Sequence, residues 1–211
     1  MTTRQAAAIE SLWPQFGFEV GPWKLDPVAL FGSDRPVVVE IGFGTGEATA
    51  AMAAADPGTN LIAVDVHTPG FGQLLARVAA GQLANVRIAS GDAVELFRDM
   101  LPAGSLVGIR CYFPDPWPKA RHHKRRLVAP SFVALAIDRL APGGTFHLAT
   151  DWPDYAGQMR TVLDAEPSLV KVFDQCQPDP QLRPGCRPST RFERAGTAKG
   201  HPVVDLVYLR S

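Results

Sequence analysis

PVVVEIGFGTGEATAAMAAA, Pro36 to Ala55, is the stretch on which the fold turns. Val37 to Ile41 is a short β-branched run, the pattern of a parallel strand buried on both faces. Gly42, Gly44 and Gly46 allow a tight turn, and the alanine-rich run after Glu47 favours a helix. Strand, glycine turn and helix make an α/β unit, and the alternation continues outward from it. Leu61–Val66, Val86–Ala89, Leu106–Phe113, Thr145–Ala149 and Val203–Leu209 read as further strands. Helices are predicted over 70–80, up to Met100, over 131–140 with a stop at Pro142-Gly143-Gly144, and over 155–163. This alternation predicts an α/β fold with a doubly wound, mostly parallel sheet covered on both faces. Upstream, residues 3–13 predict a short helix ended by Trp13-Pro14. The Pro-, Gly- and Trp-rich stretch that follows reads as a lead-in loop, so 1–36 precede a core of 37–211 within one domain.

Composition narrows the class. The chain has 211 residues, 46% apolar and 20% charged, which suits one domain of this kind. With 21 basic and 21 acidic residues, no net charge draws it toward nucleic acid, so any such attraction must be local. The first residues, MTTRQAAAIESLWPQFG, carry Glu10 and no long apolar core, which excludes a signal peptide. No apolar run approaches the roughly 20 residues of a membrane span. Cys111, Cys176 and Cys186 are odd in number and lack C-x-x-C spacing. Neither a disulfide framework nor a metal site is expected, and reduced thiols in a cytoplasmic protein are. No apolar surface stripe stands out, so a monomer without an obligate protein partner is favoured.

In doubly wound sheets, ligands bind beyond the carboxyl ends of the strands, where strand order reverses. The loop after the first strand reads E-x-G-x-G-x-G, not the dinucleotide spacing G-x-G-x-x-G. Glu40 would repel a pyrophosphate but suits a cationic ligand such as S-adenosylmethionine, with its ammonium and sulfonium. Asp65 ends the next strand about 20 residues on, where a carboxylate accepts from both ribose hydroxyls. Asp92, in Ser90-Gly91-Asp92-Ala93, can accept from an adenine amino group, with the Ala93 backbone completing the contact. Read singly, each aspartate is equally a helix N-cap. Three acids at the ends of three successive strands nonetheless converge on one crevice and outline an adenosyl ligand.

The fourth strand runs into FPDPWPKARHHKRR, Phe113 to Arg126. Pro114 and Pro116 hold Asp115 in an extended turn. Trp117 offers a face for a base, and Lys119, Arg121, Lys124, Arg125 and Arg126 offer cations to its flanking phosphates. Taken alone, the basic run is equally a solvated face whose ion pairs contribute about 0–1 kcal/mol each. His122 and His123 are adjacent and diverge on a helix, so RNA contact or exposure suits them better than metal. Asp151 follows the fifth strand and adds an acid to the crevice. Thr190, Arg191, Phe192 and Glu193 precede the last strand and read alone as an ordinary loop, though one able to close over a substrate.

Glu40–Gly46, Asp65-Val-His67, Gly91-Asp92-Ala93, Phe113–Arg126, Ala149–Asp151, Thr190–Glu193 and Gly200-His201 together resemble the bacterial tRNA (guanine-N7-)-methyltransferase family, in family order over nearly the whole chain. The Phe-Pro-Asp-Pro-Trp to His-His-Lys-Arg-Arg block is the specific part; the glycine loop alone indicates only a class I methyltransferase. The resemblance implies a Rossmann-like class I fold with a seven-stranded sheet. It also implies methyl transfer from S-adenosylmethionine to N7 of guanosine 46 in tRNA. By similarity, Glu40, Gly42, Gly44, Gly46, Asp65, Asp92, Ala93 and Asp115 would line the cofactor site, and Asp115 would be catalytic. Lys119, Asp151, Thr190, Arg191, Phe192 and Glu193 would bind substrate, and Arg121, His122, His123, Lys124, Arg125 and Arg126 would contact RNA. Pro118 and Ala120 replace the usual His and Lys, and the longer basic N-terminal arm common in the family is missing before Trp13-Pro14. Weaker phosphate contact is the expected result. A related enzyme for a small heteroaromatic ring nitrogen and a non-catalytic RNA-binding module are the alternative readings.

Overall fold

The computed structural model describes residues 3–176, 183–190, 193, 194, 197, 200 and 202–211. Helix α1 (Thr3–Phe16) leads into a three-residue strand β1 (Gly17–Glu19) and a short helix α2 (Pro27–Phe31). There follow β2 (Val37–Ile41), α3 (Glu47–Ala55), β3 (Asn60–Asp65), α4 (Thr68–Ala80) and β4 (Val86–Ser90). Helix α5 (Ala93–Glu95) continues as one π-helical turn, Leu96–Met100. Strand β5 (Leu106–Tyr112), a 3-10 segment (Ala120–Arg125), α6 (Pro130–Arg139), β6 (Leu140–Thr150), α7 (Pro153–Asp164), β7 (Leu169–Gln175), a 3-10 turn (Pro184–Cys186) and β8 (Val204–Arg210) follow.

The strands form one sheet in the order β1-β4-β3-β2-β5-β6-β8-β7. Pairing is parallel from β1 to β6, and β8 runs antiparallel between β6 and β7. The mostly parallel α/β arrangement is thus as expected, with eight strands among the described residues in place of seven. Strand β1 lies within the stretch read as lead-in loop. Strand β7 is an edge with only Leu169 buried, and Val170 and Val172 face solvent. Neither carries the apolar run that marks β2, all five of whose residues are buried. Helix α1 also runs past Pro14 to Phe16. A proline in the last turn removes a single helical N–H, and Trp13 is pinned there by Phe71, ring to ring at 5.5 Å, and by Gly17, where a Cβ would meet the indole.

Helices α1, α3 and α4 cover one face of the sheet through Leu12, Phe16, Ala53, Leu74, Leu75 and Val78, packed on Leu61, Ala63, Val86 and Ile88. The other face packs Val39, Ile62, Ile109 and Phe146 against Phe97, Phe132, Ile137 and Met159. From β2 the chain moves to β3 and β4 on one side, then returns to β5 and β6 on the other. Strand order therefore reverses between β2 and β5, and their carboxyl ends open the crevice where such sheets bind ligands. Among the described residues no helix is long and apolar enough to cross a membrane.

Candidate active site

Two cavities meet at that switch point. The larger, about 680 Å³, is lined by Asp65, Gly91, Asp92, Ala93, Cys111, Asp115, Trp117 and Arg125. The smaller, about 460 Å³, is lined by Glu40, Gly44, Thr45, Glu47, Ala48, Arg187 and Thr190. Gly42, Tyr112 and Phe113 line both and form the wall they share, where the two cavities adjoin.

The glycine loop is shaped by backbone conformation. Gly42, Gly44 and Gly46 have φ of 75°, 56° and 69°, which L side chains rarely adopt. A Cβ at Gly42 or Gly44 would project into open space, so the bare backbone faces the cavities. Gly46 serves packing instead, since its Cβ would strike Leu74 at 2.7 Å, and it lines neither cavity. Asp65 holds the loop from β3, accepting from the Gly44 N–H at 3.1 Å and the His67 N–H at 2.9 Å. Asp92 accepts from the Val94 N–H at 2.7 Å, so it is a helix N-cap that also faces the larger cavity.

Glu40 is 3% exposed at the end of β2, and neither its Oε2 nor the nearby Thr49 hydroxyl has a hydrogen-bond partner in good geometry. Burial raises the Glu40 carboxyl above the usual range, against the opposing influence of Thr49 and Arg110. A buried acid with one oxygen left without a hydrogen-bond partner, beside bare backbone, suits a cationic ligand group; it is the observation by which the donor set fits S-adenosylmethionine. Burial also pushes the Cys111 thiol up to about 12, which removes it from nucleophilic chemistry at neutral pH. Among the described residues no cluster of three or more His, Cys, Asp or Glu could hold a metal.

Asp115 is exposed on a turn whose two ends are strained: Phe113 has φ of 54° and Trp117 of 42°. Such conformations cost on the order of 1–3 kcal/mol each and persist only where surroundings impose them. Here β6 holds one end, through the Phe113 N–H to the Ala149 carbonyl at 2.8 Å. Arg125 covers the Trp117 ring at 4.9 Å and His122 meets it edge-on at 5.9 Å. Lys119, Arg121, Lys124 and Arg125 are exposed around this turn, and His122 and His123 are half-buried.

Arg126 differs from its neighbours. Its side chain is 1% exposed and donates to the Pro116 carbonyl at 2.8 Å, Gln158 at 2.7 Å and Asp154 at 2.6 Å. The expected RNA contact does not fit a guanidinium whose donors point into the protein; it ties the Pro-Asp-Pro turn to α7. Glu193 is likewise 2% exposed and pairs with Arg187 and Arg183, each at 2.8 Å, leaving its carboxylate inside the protein rather than offered to a substrate. Thr190 reaches the smaller cavity; Lys119 and Asp151 line neither; Arg191 and Phe192 lie outside the described residues.

Sequence reasoning missed a buried network beneath the wall. The Tyr112 hydroxyl meets His147 Nδ1 at 3.0 Å, and His147 Nε2 meets Asp205 at 2.9 Å. Arg187 donates to both Asp205 oxygens, at 2.7 and 2.9 Å. Burial acts to raise the Asp205 carboxyl, but Arg187 and His147 hold it below its ordinary value. Burial lowers His147 below its ordinary value despite Asp205, so the ring is neutral, with Nε2–H toward the carboxylate and Nδ1 accepting from Tyr112. One signal was present: an acid inside Val203–Leu209 must be paired if that strand is buried.

Known proteins resemble this chain in sequence and in fold. The family described as "Putative methyltransferase" matches residues 34–206. A tRNA (guanine-N(7)-)-methyltransferase of Streptomyces avermitilis is 54% identical over 212 residues, covering 100% of this chain and 72% of the relative. One of Streptomyces coelicolor is 54% identical over 211 residues, covering 100% and 77%. Among solved structures, the 16S rRNA methyltransferase KamB superposes with a TM-score of 0.64 at 17% identity, over 89% of this chain and 96% of that one. That likeness shows the fold, and the class implies use of S-adenosylmethionine. With half its residues shared along its whole length, the chain belongs to the tRNA (guanine-N7-)-methyltransferase family.

Proposed function

We propose that the chain, acting as one catalytic unit, methylates N7 of guanosine 46 in tRNA with S-adenosylmethionine as donor. The observation that carries the reading is the pair of joined cavities edged by Glu40, Asp65, Asp92 and Asp115, with exposed cations directly outside. Asp65 and Asp92 would receive the ribose and the adenine in the larger cavity. Glu40 would receive the ammonium in the smaller one, and Gly42, Tyr112 and Phe113, which line both cavities, would hold the part of the cofactor between. Bound there, the cofactor supplies an electrophilic methyl group on a sulfonium.

What the protein must add is modest. Guanine N7 carries a free lone pair, so no proton leaves before attack and no strong base is required. Alignment is required, and a rigid wall and a strained turn provide it. The purine gains positive charge as it is methylated, and the Asp115 carboxylate, fixed between two prolines, stabilises that charge. Asp151 and Thr190 would contact the substrate, as the family resemblance implies. Trp117 and the exposed Lys119, Arg121, Lys124 and Arg125 would hold the nucleoside and its phosphates.

The test is transfer of labelled methyl to unmodified tRNA bearing guanosine at position 46, against the same tRNA with adenosine there, for wild type and Asp115→Ala. Label in the guanosine tRNA alone, lost in the variant, is the expected result. No label despite cofactor binding would overturn the tRNA reading in favour of a small ring-nitrogen substrate.

A further inference from the structure

Arg187 is 0% exposed, yet it comes from a loop, and the network around it is larger than holding a loop requires. Its guanidinium is clamped on two sides, by Asp205 of β8 at 2.7 and 2.9 Å and by Glu193 at 2.8 and 3.3 Å. Burial would depress its pKa, but those two carboxylates raise it, so it is a permanent cation. Its guanidinium carbon lies over both rings, 5.4 Å from the centroids of Tyr112 and of Phe113. These two rings form the wall shared by the cavities, and Phe113 opens the strained turn that carries Asp115.

We propose that Arg187 is a positioning residue for methyl transfer. Resting on the reading above, it fixes the Tyr112–Phe113 wall, and so sets the alignment of donor and acceptor without touching either reacting atom. Only arginine meets the geometry, because four hydrogen bonds in one plane and two ring contacts need a planar fork. Lysine would keep the charge and one carboxylate but lose the plane that braces the rings.

The test compares wild type, Arg187→Lys, Phe113→Leu and the double variant, as full chains. Misplacement of about 1 Å costs about 100-fold in rate. Arg187→Lys is therefore expected to lower kcat about 100-fold, with the calorimetric Kd for S-adenosylmethionine within about threefold of wild type. Phe113→Leu leaves the ion pairs intact, lowers kcat at least about tenfold, and the double variant is no more than about threefold worse than Arg187→Lys, since both act through one contact. Hydrogen exchange gives a readout independent of turnover: in Arg187→Lys the Phe113 amide exchanges at least about tenfold faster, while amides of β3 are unchanged.

An Arg187→Lys enzyme with wild-type kcat and Phe113 protection would overturn the proposal, as would singles whose effects multiply in the double variant. If Arg187→Lys does not fold, Phe113→Leu decides: unchanged kcat counts against the proposal. An inactive wild type that still binds S-adenosylmethionine would count against the tRNA reading, and the exchange experiment would then judge Arg187 by itself.

Discussion

Two glycine-to-alanine substitutions, chemically identical, should move stability in opposite directions. Gly157 lies in α7, and a Cβ there meets nothing within 4 Å. Gly157→Ala therefore gains only the helix preference and the smaller entropy loss on folding, about 0.4–1 kcal/mol. In a domain of this size that raises Tm by about 1–4 °C. Gly70 lies in the first turn of α4, and its Cβ would stand 2.1 Å from the Gly44 carbonyl oxygen. Relief requires the glycine loop or the helix to retreat by about 1 Å, the overpacking regime that costs about 1–3 kcal/mol. The helix preference offsets only part of this, so Gly70→Ala should lower Tm. The same retreat breaks the Gly44 N–H bond to Asp65, so the S-adenosylmethionine Kd should rise at least about tenfold. Differential scanning calorimetry and titration calorimetry on both variants read the two effects. A Gly70→Ala protein as stable as wild type, with unchanged cofactor affinity, would refute the claim that α4 is docked on the loop through this contact.

Three further outcomes follow from the buried and exposed charges. Asp205→Ala should cost about 3–5 kcal/mol in urea unfolding, because it leaves Arg187 buried with only one acidic side bound. Arg125→Ala should flatten the dependence of log tRNA affinity on log salt by about 0.7–0.9, whereas Arg126→Ala should lower Tm and leave that slope unchanged; equal slopes in the two variants would sink the distinction. Glu40 has a raised folded pKa, so its contribution to stability is fully present below the ordinary value of 4.5 and is lost as pH rises through the folded value. In ligand-free protein the Glu40 contribution should therefore decline upward from about pH 4.5. Glu40→Gln should flatten that decline and weaken S-adenosylmethionine binding, as followed by thermal melts across pH and by calorimetry.

Much of the fold was legible because β2, β3 and β4 are central parallel strands, apolar on both faces, and because glycines at positive φ announce the turn after β2. Asp65 and Asp92 were legible as crevice acids from their places at strand ends, and the alternative for Asp92 proved true as well, since it caps α5 while facing the cavity. Strand β7 was not legible, because an edge strand needs no apolar alternation when its neighbour supplies the ladder. Arg126 could not be told from Arg125 in a run of cations. What separates them is α7, whose Asp154 and Gln158 lie far along the chain. The role of Arg187 was hidden for the same reason: its loop reads as polar and proline-rich, and its partners are contributed by tertiary structure.

The place of β8 in the sheet sets a schedule for synthesis. Among the described strands β7 pairs with β8 alone, and β8 follows both of its neighbours, β6 and β7, in the chain. Until it emerges, β7 has no ladder to join and β6 presents an open edge. His147 and Arg187 also lack the carboxylate of Asp205. The crevice at β2, β3 and β4 can form early on the growing chain, whereas the Tyr112–Phe113 wall is braced only when β8 inserts between two strands that are already present. On the proposed reading, a nascent or truncated chain lacking β8 would keep the cofactor side of the site and lose the brace behind its wall.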